Sequence, residues 1–200
     1  MADKLAADAA GIARAAKLLR DGELVAFPTD TVYGIGCRTD DEAALSRIYE
    51  AKRRDPEKAV PWLIGSMAAI GSKFRADDRA ARLAERFWPG AVTLVLPASD
   101  GSATQAFRVP AHDVALALLA ATGPLAVTSA NRSGEPETLD ADDVSIAFAD
   151  SDEPSAILDG GRVPGGVASS VVDLSGPVAR LLREGAVSRA EIEALIGPID

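Results

Sequence analysis

Apolar positions fall at helical spacing through residues 5–20, where Leu5, Ile12, Ala13, Ala16 and Leu19 form one stripe before Asp21-Gly22 ends it. The run Glu23–Phe27 then reads as a buried strand that stops at Pro28. Thr39 to Glu42 has the form of a capping box, opening a helix to about Lys52 that buries Ala44, Leu45, Ile48 and Tyr49. A short apolar strand is expected over 59–65, a helix over 77–87 stopped by Trp88-Pro89-Gly90, and a strand over 91–96. Further on, the pattern predicts strands at 107–110 and 125–128 around a helix at 112–121, then a helix at 141–149. Three strand candidates follow at 155–158, 169–174 and 178–183, and Ser188 to Glu191 is a second capping box that opens a C-terminal helix.

Strands and helices interleave, yet the late strands lack helices between them. That pattern predicts an α/β protein with a twisted mixed sheet and flanking helices rather than a strict Rossmann alternation. No repeat, low-complexity tract or dividing linker interrupts the 200 residues, so a single domain is expected, with its core over about 11–190. Composition adds that the chain is 48% hydrophobic and 26% charged, as soluble globular proteins are. The single cysteine, Cys37, has no internal partner, which fits a reducing cytoplasm. No apolar run approaches the roughly 18 residues of a membrane helix. The net charge of −9 opposes broad binding of duplex nucleic acid, so at most weak direct binding of RNA is expected. A small phosphate ligand remains compatible, because a few clustered cations set the local potential.

Several familiar chemistries are missing. There is no G-x-x-x-x-G-K-[ST] segment, and Gly34-Ile35-Gly36 lacks the third glycine of a dinucleotide fingerprint. One cysteine and one histidine do not build a usual zinc site, and no metal site is expected. His112 has no G-x-S-x-G serine to serve and reads as a structural residue at a strand-to-helix junction.

What remains is polar chemistry at strand ends. Pro28-Thr29-Asp30-Thr31-Val32-Tyr33-Gly34 follows a buried strand, which suits either ligand contacts or a turn closed by an Asx-type bond from Asp30. Lys52 to Lys58 carries four cations, fitting either a helix C-terminus or a triphosphate clamp. Arg108 sits in the apolar run Phe107–Pro110 and calls for an internal aspartate or a substrate carboxylate, since an unpaired buried charge is costly. Thr128-Ser129-Ala130-Asn131 ends another strand with hydroxyl and amide groups. The stretch 159–170 is glycine-rich enough either to present amides to an anion or to serve as a plain connecting loop, and Arg183 ends a later strand.

In this order, Pro28-Thr29-Asp30-Thr31-Val32-Tyr33-Gly34, Lys52-x-Arg54, Arg108-Val109-Pro110, Thr128-Ser129-Ala130-Asn131-x-Ser133-Gly134 and Ser169-Ser170-Val171-Val172-Asp173 resemble the YrdC family. The resemblance implies a mostly parallel twisted sheet around an open basic cavity, in the short, single-domain form. It also implies a nucleotidyltransferase, an L-threonylcarbamoyladenylate synthase. Such an enzyme converts L-threonine, bicarbonate and ATP, with Mg²⁺ arriving on the nucleotide, to threonylcarbamoyl-AMP and pyrophosphate. The product passes to a threonylcarbamoyl transferase that modifies adenosine 37 of tRNA. By matching motif, Thr31, Leu63, Arg108, Thr128 and Ser169 would hold threonine, with Arg108 on its carboxylate. Lys52, Arg54, Lys58, Thr104, Ser129, Ala130, Asn131, Thr138 and Arg183 would hold ATP, with Lys52 and Arg54 acting on the phosphates during reaction. The segment Ala59-Val60-Pro61-Trp62-Leu63 departs from the Pro-Leu-led strand of many members. Two other functions compete: an RNA-binding module of the ribosome-maturation kind, and a carbamoyl-adenylating domain of the hydrogenase-maturation kind that uses carbamoyl phosphate.

Overall fold

Strand β1 (Asp3–Ala6) opens the chain where a helix is expected, because Asp8 stops any earlier start. Its carboxylate accepts from the Gly11 amide at 2.8 Å, so α1 runs only over Ala9–Arg20 and Leu5 joins the sheet. β2 (Val25–Pro28) and β3 (Tyr33–Arg38) follow, then α2 (Glu42–Lys52), β4 (Trp62–Leu63) and a 3-10 turn at Met67–Ile70. The middle of the chain holds α3 (Asp78–Phe87), β5 (Val92–Pro97), β6 (Thr104–Arg108), α4 (Asp113–Thr122) and β7 (Leu125–Ser129). It ends with α5 (Ala141–Ala147), β8 (Ala156–Asp159), β9 (Ser170–Asp173), β10 (Arg180–Arg183) and α6 (Arg189–Ile196). This computed structural model describes residues 2–165 and 167–200; Met1 and Gly166, the latter within the glycine-rich stretch, lie outside the described residues.

The strands form one twisted mixed sheet in the order β1-β8-β2-β3-β7-β4-β6-β5-β9-β10. The expected parallel majority is not found. Among the described residues five neighbouring pairs are antiparallel and four parallel. The reason is local: β2–β3, β5–β6 and β9–β10 are joined by connections too short for a crossover helix, so each pair must reverse.

Two capping expectations part company. The Ser188–Glu191 box forms as drawn, whereas α2 is capped by Asp41, whose carboxylate accepts from the Ala44 amide at 2.9 Å, and not by Thr39. The strand over 59–65 shrinks to Trp62–Leu63, since Pro61 has no amide to donate and offers only its carbonyl, to Val127, at 2.9 Å.

Coverage by helices differs along the sheet. On the β2–β3–β8 side, alternate residues face two layers: Ala26, Ile35 and Ile157 pack with α2 and α5, while Val25, Phe27 and Leu158 pack with α1 and α4. On the β5–β6–β9 side, Val92, Leu94, Phe107 and Val172 pack under α3 and α6. Their out-of-phase neighbours Thr93, Ala106, Arg108 and Val171 face the other way, into a cavity.

β3 stands where the apolar pattern predicts no strand after Phe27, since Gly34 and Gly36 interrupt it. They are strand residues that let β7 come close. A Cβ on Gly34 would lie 2.6 Å from Val127 Cγ1, and one on Gly36 would lie 2.9 Å from Val127 Cγ2. Gly36→Ala is therefore expected to cost about 1–3 kcal/mol by overpacking, lowering Tm by roughly 2–12 °C. Adding Val127→Ala should return part of that loss in calorimetry; an additive penalty would show that the side-chain clash is not its source.

Candidate active site

The cavity, of about 340 Å³, spans the face left open between β3 and β10. Its first wall is the β2–β3 turn. There Thr29, not Asp30, closes the local bonds: its hydroxyl accepts from the amides of Thr31 and Val32 at 3.2 and 3.3 Å and donates to the Val32 carbonyl at 2.7 Å. Asp30 is thereby released to reach across to β6. The Arg108 guanidinium donates to its carboxylate at 3.3 Å, with a second nitrogen 3.2 Å from the other oxygen, and reaches Thr31 Oγ1 at 3.4 Å.

Arg108 is only 6% exposed, and burial lowers its pKa; Asp30 pulls the other way and Arg183 adds to the lowering. The guanidinium thus has one long-range carboxylate partner and lines the cavity with the rest of its surface. Of the two readings open for this arginine, the internal aspartate is present; the cavity leaves space for a ligand anion beside it.

The opposite wall is built by β9 and β10. Arg183 donates from Nε to the Ser169 carbonyl at 3.0 Å and from Nη2 to its hydroxyl at 3.2 Å. That hydroxyl lies 2.8 Å from Thr93 Oγ1 on β5. Leu63 on β4 pairs with Arg108 and closes the floor, together with Val127 and Thr128 of β7.

Three consecutive cations at the end of α2 take three directions. Arg53 has left-handed backbone (φ 51°) and pairs with Asp150 in solvent. The turn it makes carries Arg54 back to the cavity, where its guanidinium donates to the Lys58 and Ala59 carbonyls at 3.3 and 3.1 Å. Lys52 points inward and is 1% exposed. Its ammonium donates to the Ser129 carbonyl at 2.5 Å, to the Asn131 carbonyl, and more loosely to Asn131 Oδ1 at 3.4 Å.

Of the residues expected to hold threonine, Thr31, Leu63, Arg108, Thr128 and Ser169 all line this one cavity. Of those expected to hold ATP, Arg54, Ser129 and Arg183 line it. Lys58 and Thr104 are exposed outside the lining. Ala130, Asn131 and Thr138 are buried behind it: the Ala130 amide donates to Tyr33 O at 2.8 Å, Asn131 to Glu135 O at 2.7 Å, and Thr138 to Ala130 O at 3.1 Å. His112 begins α4 outside the lining, without capping it; burial lowers its pKa.

Two polar lining residues, Thr93 and Glu137, and the carboxylate that holds Arg108, Asp30, are not among the expected site residues. Thr93 has a usable signal, as the one polar position in an apolar strand and out of phase with Val92 and Leu94. Asp30 lies inside the first motif, where an Asx-type turn is one of two readings, and nothing local in the sequence singles it out as the aspartate that Arg108 calls for. Glu137, an exposed carboxylate on the rim, has no signal that separates it from other loop charges.

A family model described as telomere recombination, the Sua5/YciO/YrdC domain, matches residues 17–185. The chain belongs to the Sua5/YciO/YrdC family. It is 40% identical over 208 aligned residues to a threonylcarbamoyl-AMP synthase of Bacillus subtilis, covering 98% of this chain and 60% of that protein. A threonylcarbamoyl-AMP synthase of Alkalilimnicola ehrlichii is 36% identical over 92% of this chain and 94% of its own. Among solved structures, Pyrococcus abyssi Sua5 complexed with L-threonine matches with a TM-score of 0.90 and 38% identity, over 100% of this chain and 62% of that one. The chain thus spans about 60% of the B. subtilis and P. abyssi relatives.

Leaving Arg108 without Asp30 should be expensive in the free protein. Asp30→Ala is expected to cost on the order of 3 kcal/mol in denaturant unfolding, and Asp30→Ala combined with Arg108→Met distinctly less than the sum of the single changes. Strict additivity would mean that the two groups are not coupled.

Proposed function

We propose that this chain forms threonylcarbamoyl-AMP from L-threonine, bicarbonate and ATP, releasing pyrophosphate. The observation that carries the reading is a single cavity with arginines in two different settings. One is compact and buried, at Arg108 with the hydroxyls of Thr31, Thr128 and Ser169 close by. The other is less buried, between Arg54, Arg183 and the strand end at Ser129. An amino-acid carboxylate suits the first, because a planar guanidinium makes short paired bonds to it. Phosphates suit the second. The threonine complex of P. abyssi Sua5 and the names of the relatives support the same reaction.

The reaction asks for no nucleophilic side chain. The neutral amine of threonine attacks carbon dioxide or bicarbonate to give the carbamate, water being lost in the bicarbonate route. A carbamate oxygen then attacks the α-phosphorus of ATP, and pyrophosphate leaves. Leu63 and Val127 would shield the amine from solvent, and Arg108 would hold the carboxylate so that the amine faces the nucleotide. Charge grows on phosphate oxygens as the bond to pyrophosphate breaks, so prepositioned cations such as Arg54 and Arg183 lower the barrier. Among the described residues no three His, Cys, Asp or Glu side chains gather where a metal could sit. Mg²⁺ would then be held by the phosphates it accompanies, and no step here is routed through it. A threonylcarbamoyl transferase acting on tRNA would consume the product.

Pyrophosphate release from ATP is expected only when L-threonine and bicarbonate are both supplied. Equal turnover with carbamoyl phosphate in their place would point to the hydrogenase-maturation chemistry instead. Within this reading, Arg108→Ala should raise the threonine KM by roughly 10- to 150-fold with little change for ATP, the loss of a charge-assisted pair being about 1.5–3 kcal/mol. Arg54→Ala should shift the ATP KM instead, and should lower kcat if its contact tightens as the phosphate charge develops. Identical shifts for both substrates in both variants would sink the two-ended assignment.

A further inference from the structure

Lys52 is a buried cation with no counter-ion. Its ammonium meets only the neutral oxygens of Ser129 and Asn131, and no carboxylate lies within ion-pair distance of it among the described residues. The charged groups facing it are two further cations, Arg54 beyond α2 and Arg132 from the loop after β7. The attachment runs both ways. The Ser133 amide donates to the Lys52 carbonyl at 2.9 Å, and Arg132 donates to the Ala51 carbonyl, so the turn at 129–133 and the end of α2 satisfy each other's free carbonyls. Ser129, the residue whose carbonyl Lys52 grips, lines the cavity at its less buried end, with Arg54.

Such an arrangement is poor design for stability alone. A buried charge without a partner is costly, and an apolar side chain would fill the space at less expense. It becomes favourable when an anion arrives on the other side of the turn. We propose that Lys52 is a positioning residue, which holds the 129–131 turn against α2 and supplies, through that turn, the positive charge a polyphosphate meets there. This departs from a direct phosphate contact by Lys52, and it rests on the reading of the less buried end as the ATP site.

A linkage follows. In the free protein burial pushes the Lys52 ammonium down to about 7, with Arg54 and Arg132 adding to the shift. An anion behind the turn favours the charged form, so ATP binding at pH 8 should be accompanied by proton uptake at Lys52. ATP affinity should accordingly weaken as pH rises through and beyond neutrality, and threonine affinity at the Arg108 end should not follow it.

The test is a ¹³Cε titration of the lysine side chains of the intact chain, with and without Mg·ATP, beside calorimetry of ATP binding in two buffers of different ionisation enthalpy. One lysine signal, absent from Lys52→Met, is expected to titrate near neutrality and to move upward with ATP, with up to one proton taken up per ATP at pH 8. Lys52→Met should weaken ATP by roughly tenfold or more, lose the proton uptake and flatten the pH dependence, while threonine binding stays within about twofold. Lys52→Arg should restore part of the ATP affinity without the neutral titration. The titration of the parent decides the matter even if Lys52→Met fails to fold. If the parent binds ATP and every lysine titrates near 10 throughout, or if Lys52→Met keeps the same proton uptake, the proposal is wrong. If the parent binds no ATP at all, the proposed function has failed, and this inference falls with it for that separate reason.

Discussion

A guanidinium stands in the open face of an apolar sheet because one carboxylate holds it there. Arg108 and Asp30 are 78 residues apart, on a strand end and on a hairpin turn, and their ion pair reaches over β7 and β4, which lie between them in the sheet. Thr29 makes this possible by taking over the turn's local bonds, so that Asp30 is free to leave. Arg108 is in turn kept in one orientation before any ligand binds, with Thr31 beside it. A side chain fixed in advance costs less entropy when it meets a carboxylate than one recruited from solvent.

The second constraint is the uneven helical cover. Helices α3 and α6 bury one face of β5, β6 and β9 and leave the other bare. The polar residues of the bare face come from β7, β6, β5 and β10 and from the segments that lead into β3 and β9, while β3 and β4 line the cavity with Gly34 and Leu63. A chain of net charge −9 thereby keeps a local cluster of Arg54, Arg108 and Arg183, together with a buried Lys52 behind the wall. Overall charge repels large polyanions at long range, while a small anion inside the cavity meets these cations within a Debye length of about 8 Å.

Much of this was readable in the chain, and the limits have physical causes. Helices α3 and α5, expected over 77–87 and 141–149 and found over Asp78–Phe87 and Ala141–Ala147, and the capping box at Ser188 follow from side-chain spacing and local hydrogen bonds, which a sequence displays directly. Strand β3 was hidden because glycine signals permissiveness without saying whether a turn or a neighbouring strand requires it; Val127, 91 residues after Gly36, supplies the answer. β1 was hidden because its partner, β8, is more remote still. The residues around the cavity were legible as types: Thr31, Arg108, Thr128 and Ser169 come together as expected. Direction was not legible. Lys52 and Arg54 are two residues apart in one basic run, yet one turns under the wall and the other into the cavity because Arg53 takes a left-handed backbone between them. Thr138 and Asn131 likewise spend their polar groups on the turn behind the cavity.

The central claim is that the compact end of the cavity is a carboxylate site prepared by Asp30. A crystal structure of this chain grown with L-threonine tests it most directly. The account predicts the amino acid inside the cavity, its carboxylate within hydrogen-bonding distance of the Arg108 guanidinium while Asp30 remains on the other side, and its amine directed toward Arg54 and Ser129. Threonine bound with its carboxylate at Arg54 or Arg183, or an Arg108 still engaged by Asp30 alone beside an occupied cavity, would contradict it.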